Sequence, residues 1–127
     1  MVLLPVGCNE PDGLPAAYRE LAVPAARLAD PAAQQHGRQL FLRHCALCHG
    51  ERADGRGARI AFSSPPADFS NPQWRERTSA RQAFAIVRDG KRGTSMGAWR
   101  SFSDDEVWDL VAYLRSVSQG FEPATKE

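Results

Sequence analysis

Cys45-Ala46-Leu47-Cys48-His49 is the stretch whose reading decides the rest of this chain. Two cysteines two residues apart, with histidine directly after the second, have the spacing of a c-type haem attachment site. The chemistry dictates that order. Thiols at i and i+3 near a helix end can reach the two vinyl groups on one porphyrin edge and form thioethers. The histidine that follows is then held beneath the ring, where its imidazole can bind iron. Cys45 and Cys48 are therefore the expected thioether anchors, His49 an axial ligand and one haem c the cofactor.

Other uses of the same residues ask for partners that the sequence lacks. Structural zinc needs two more Cys or His ligands at suitable spacing. Cys8 is far upstream, and His36 and His44 both precede the pair. A thioredoxin-type thiol pair should follow a strand in a βαβ pattern, and none is visible. The 127 residues amount to one domain with a leader. A net charge of +1 argues against nucleic acid as a partner. No apolar run is long enough to span a membrane. Glu10, Asp12, Glu20 and Asp30 outnumber Arg19 and Arg27 in the leader, so the remainder is mildly basic. A mild positive field favours an acidic docking partner.

Working outward, Gly37, Leu40, Phe41 and His44 or Cys45 recur at helical spacing, which predicts a helix from Ala32 to about Cys45. Gly37 would weaken that helix unless another backbone crosses it closely. After His49, Gly50, Gly55 and Gly57 mark a loop with positive φ values. Pro65 and Pro66 form an extended wall that can present a backbone carbonyl to the outer nitrogen of His49. Phe69 and Trp74 are expected to line the pocket, and the Trp74 N–H could serve a haem propionate. Thr78 or Ser79 caps a segment from Ala80 to Asp89 that Gly90 stops. Met96 then lies in the loop Lys91–Trp99, and its thioether is a soft ligand suited to iron opposite His49. Ser103 and Glu106 form a capping box for a last helix ending near Val117, with Val107, Leu110, Val111 and Leu114 as its apolar stripe.

Residues 1–8 end in Gly7-Cys8 and resemble the end of a bacterial lipoprotein signal, although the basic n-region is missing and the apolar run is short. A lipidated Cys8 would hold the domain at a membrane surface without a spanning helix. Residues 9–31 read as a proline-rich tether. Part of it can lie along the domain, because Leu21, Val23 and Leu28 need cover. The domain itself spans 32–118, and 119–127 form a tail.

Taken together, the segment from Pro31 to Val117 resembles a bacterial class I cytochrome c. The resemblance rests on Cys45, Cys48 and His49, on Pro65 or Pro66, on Met96, and on a last helix crossing the first. The family's crossing uses a glycine with an aromatic four residues on, packed against a leucine and an aromatic; Gly37, Phe41, Leu110 and Tyr113 match it. The resemblance implies an all-α cytochrome c-like fold, His49/Met96 ligation, and electron transfer rather than substrate turnover. Redox proteins would dock at the haem edge, on the periplasmic side of the cytoplasmic membrane. Where the family often has proline after the ligand methionine, this chain has Gly97, which would loosen the Met96 loop. The alternatives are a permanent haem subunit of a dehydrogenase or oxidase, and a gas sensor or weak peroxidase in which Met96 leaves. Haem staining after denaturing electrophoresis should mark this chain, because only covalent haem survives. A colourless band would return Cys45 and Cys48 to the thiol-pair reading.

Overall fold

The computed structural model describes residues 13–58 and 64–119. A 3-10 turn, Ala16–Tyr18, precedes six α-helices: α1 Ala25–Ala29, α2 Pro31–His44, α3 Ala46–His49, α4 Pro72–Arg77, α5 Ala80–Asp89 and α6 Asp104–Val117. No strand occurs among the described residues, so the fold is all-α as expected. Residues 1–12, with Cys8 and the lipoprotein-like leader, lie outside the described residues, as does the tail beyond Gln119.

Local chemistry starts each long helix. The Asp30 carboxylate accepts from the Ala32 amide at 2.9 Å, and Pro31 takes the first helical position of α2. Ser79, not Thr78, caps α5, and Gln82 completes a capping box there. Ser103 and Glu106 form the box expected for α6, whose first-turn acids Asp104 and Asp105 lie at the favourable end of its dipole. Asn71 and Pro72 start α4, a short helix that apolar periodicity alone does not reveal.

The core is built where α2 crosses α6. Ala33, Gly37, Leu40 and Phe41 form the buried face of α2. A Cβ placed on Gly37 would sit 1.9 Å from the Asp109 carbonyl oxygen and 2.9 Å from the Tyr113 Cβ. The two main chains are therefore in contact, and only glycine fits between them. The Phe41 ring lies 5.3 Å from that of Tyr113, and Leu110 is fully buried beside them.

Every residue of α6 from Val107 to Leu114 is buried, so the helix is covered on more than the stripe its apolar period predicts. Trp108, which the period places at the edge of that stripe, is packed 4.5 Å from the Phe84 ring of α5. The extra cover comes from α5 and from residues 13–30. This part of the proline-rich segment lies along the helices, with Leu21, Val23 and Leu28 packed against the core. Leu14 is buried, Tyr18 donates to Asp89 at 2.7 Å, and the Leu21 carbonyl accepts from Arg81 at 2.7 Å. The Arg27 guanidinium donates to buried Asp109 at 2.6 Å, and Asp109 also meets His36 Nδ1 at 2.6 Å. A buried carboxylate needs such partners, and the ion pair gives the segment a fixed seat.

Gly37→Ala should lower stability by about 2–3 kcal/mol, the size expected when a methyl is forced into a filled contact. The midpoint of urea unfolding measures it. An unchanged midpoint would mean that the helices slide apart freely.

Candidate haem site

α2 ends at His44 with Cys45 as its C-cap (φ −119°, ψ −25°), whose amide still donates to the Phe41 carbonyl, and α3 follows as one turn. The Cys45 carbonyl accepts from the Cys48 amide at 3.2 Å and the His49 amide at 2.9 Å. Both thiols and the imidazole are thus carried on one tight turn. Downstream, the Gly55 amide donates to the His49 carbonyl at 2.8 Å, and the Phe69 amide donates to that of Ala53 at 2.8 Å. These bonds tie the glycine loop and the Phe69 segment to the attachment turn.

A cleft of about 320 Å³ opens in front of that turn. Cys45, Cys48, His49, Pro65, Pro66, Phe69, Trp74 and Met96 all line it. Further wall comes from Ile86 and Val87 of α5 and from Leu110 and Leu114 of α6. The helix crossing therefore supplies one side of the cleft directly.

Cys45 and Cys48 are free thiols, half buried. Burial, helped by the neighbouring Cys48, pushes the Cys45 thiol up to about 12. A redox-active pair needs the opposite shift, toward thiolate near neutral pH, so the environment opposes that use. Among the described residues no group of three His, Cys, Asp or Glu side chains could hold a metal ion, so a zinc site also lacks ligands.

The carbonyl that meets His49 belongs to Ala67, one residue past the proline pair, with Nδ1 to oxygen at 3.3 Å. With Nδ1–H donated there, Nε2 keeps its lone pair. Burial lowers the His49 pKa and the Ala67 bond partly offsets this, so the neutral ring is favoured. The ring packs 4.8 Å from Phe69, which meets Trp74 edge-on, also at 4.8 Å.

Residues 32–114 match the family model described as cytochrome c oxidase, cbb3-type, subunit III. The chain belongs to this family. It is 31% identical over 96 residues to the cbb3-type cytochrome c oxidase subunit FixPc of Rhizobium leguminosarum bv. viciae. It is 29% identical over 96 residues to the corresponding subunit CcoP of Azospirillum brasilense. Identity to a thiosulfate dehydrogenase of Stutzerimonas stutzeri is 28% over 91 residues. These matches cover 72%, 74% and 68% of this chain but only 30%, 32% and 28% of those proteins, so the chain spans about three tenths of their length. A chain of the Kuenenia stuttgartiensis reducing HAO-like protein complex shares the fold, with a TM-score of 0.59 and 24% identity over 71% of this chain and 48% of that one. The chain is thus a monohaem class I cytochrome c domain with covalently bound haem c.

The residues present fit that group. Two free thiols stand on one turn, a neutral imidazole points a lone pair away from its carbonyl partner, and a thioether shares a cleft walled mostly by carbon. The cytochrome also places His44 on the cleft, with its ring 5.3 Å from Trp99 and 5.2 Å from Phe102. In the sequence His44 reads only as a position on the α2 face, since the partner aromatics are more than fifty residues away. Ala67 has no sequence signal at all, because a backbone carbonyl does not depend on residue type.

In the haem-free protein, where Nε2 is not taken by iron, the folded state disfavours protonated His49, so its contribution to stability is complete above about pH 6.5 and is lost as pH falls below that value. The urea midpoint should therefore drop between pH 7 and pH 5, and His49→Gln should remove that part of the slope. An equally steep slope in the variant would assign the acid step to other groups.

Proposed function

We propose that this cytochrome is a one-electron relay whose iron is held by His49 and Met96, with thioethers to Cys45 and Cys48. The observation that carries the reading is the convergence of those four side chains on one cleft. When bound, haem c supplies ferrous–ferric exchange, and His/Met ligation raises its potential. The protein's own part is to hold both ligands still. His49 is oriented by Ala67, and its basicity is raised by that bond. The walls from Phe41, Phe69, Leu110 and Leu114 exclude water. Pro65 and Pro66 would hold the segment that delivers the Ala67 carbonyl, and Trp74, which also lines the cleft, would serve a propionate through its N–H.

Electrons enter and leave at the exposed edge near Cys45 and Cys48, through redox proteins docking there on a small interface. The location is the periplasmic side of the cytoplasmic membrane, with Cys8 as the lipidation site. No helix of the described residues is long and apolar enough to cross a membrane. A permanent place in an oxidase or dehydrogenase is the second reading, favoured by the names of the relatives, each more than three times longer than the matched region. Native size in membrane extracts separates the two, since a free carrier runs alone.

Met96→Ala should keep covalent haem yet create an open position that binds carbon monoxide in the ferrous state. An unchanged spectrum with no carbon monoxide complex would remove Met96 from the ligand set.

A further inference from the structure

The loop that carries Met96 is fastened at two ends and open between them. Its first end is Gly90, where a Cβ would lie 2.8 Å from the Met96 carbonyl oxygen and 2.8 Å from the Gly97 carbonyl carbon. Gly90 itself is left-handed (φ 79°), a conformation that glycine takes at no steric cost. The Lys91 amide donates to the Met96 carbonyl at 3.2 Å, and the Met96 amide donates to Thr94 Oγ1 at 3.2 Å. A Cβ placed on Gly93 or on Gly97 would meet nothing within 4 Å, so no neighbour packs on those positions, and the middle of the loop is held by its own turn, in which the Thr94 hydroxyl and amide donate to the Lys91 carbonyl at 2.6 and 3.2 Å. Beyond that local turn, the stiffness of the loop depends on its anchors.

The second anchor is Arg88, near the end of α5. Its Nη1 donates to the Phe102 carbonyl at 2.6 Å and the Trp99 carbonyl at 3.0 Å, with that of Arg100 at 3.5 Å. Its Nη2 donates to the Asp104 carboxylate at 2.6 Å. The guanidinium lies 5.5 Å from the centre of the Phe84 ring, and the side chain is only 14% exposed. Beside it, the Trp99 amide donates to the Val87 carbonyl at 3.0 Å. The carbonyls that Arg88 gathers belong to Trp99 and Phe102, whose rings stack at 5.2 Å and receive His44, the neighbour of Cys45. One guanidinium thus joins α5, the segment following Met96, the start of α6 and the wall beside the attachment turn. Several charge-assisted bonds in a fixed fork suit arginine and no other side chain.

We infer that Arg88 is the positioning residue for Met96: by gripping residues 99–104 it sets how readily the thioether gives up its place in the cleft. This rests on Met96 being the second axial ligand. Arg88 touches neither iron nor haem and acts through the loop.

The test uses the whole haem-bearing protein in the ferric state, titrated with imidazole as a competing ligand. Arg88→Met keeps the stem over Phe84 and removes the donors. It should retain covalent haem, weaken the iron–thioether charge-transfer band and bind imidazole about tenfold more tightly, the size expected for losing one or two charge-assisted bonds. Arg88→Lys should fall between, and it carries the same comparison if the methionine variant yields no folded protein. Arg27→Met is the calibrating variant, since it breaks a different ion pair and should lower the unfolding midpoint with imidazole affinity unchanged. Arg88 variants that behave like Arg27→Met would reduce Arg88 to a structural role and overturn the inference. If Met96→Ala binds imidazole no more tightly than the parent protein, the ligand reading falls and the inference with it. If Met96→Ala opens the site and the Arg88 variants do not, the inference alone falls.

Discussion

The main chains of α2 and α6 touch at Gly37, and the position of everything else follows from that contact. Its geometry sets where α2 ends, and so where Cys45, Cys48 and His49 leave it. It also sets where Leu110 and Leu114 stand, and these two side chains are wall for the cleft. A side chain at Gly37 would push the attachment turn away from its own wall. Close packing transmits such a shift, because a dense interior has little room to absorb it.

Burial then has opposite consequences for two kinds of group on one turn. It disfavours charge, so before haem is attached the Cys45 thiol is held protonated while the His49 imidazole is held neutral. The thiol is thereby kept from casual thiolate chemistry, and the imidazole is kept in its ligating form. The Ala67 carbonyl adds the direction in which the ring must point. None of these effects needs a charged side chain in the cleft wall beyond Lys91 at its margin.

The attachment turn, the two long helices and the α5 segment are legible because each carries a periodic or capping signature within a few residues. Gly37, a costly glycine in mid-helix, by itself asks for a close backbone crossing, and the resemblance supplies the crossing partner. Three features leave no local trace. Asp109 sits on the face of α6 that its apolar stripe does not use, and it is buried because Arg27 arrives from 82 residues away. Ala53 adopts a left-handed conformation (φ 58°) that composition assigns to glycine. Arg88 reads as an ordinary charge at the end of an amphipathic helix until the carbonyls of Trp99 and Phe102 are brought to it. In each case the deciding partner is tertiary.

Residues 13–30 are fixed to α5 and α6 by bonds spanning 60 to 82 positions of sequence. The surface they cover exists only where those helices lie together, so the seating of this strip depends on their assembly. By the same token it is a unit that can lift without undoing the crossing beneath. Lifting would leave the Asp109 carboxylate with His36 as its remaining partner and would bare the Trp108 side of α6. In hydrogen-exchange terms, this strip is expected to open sub-globally, ahead of the crossing beneath it.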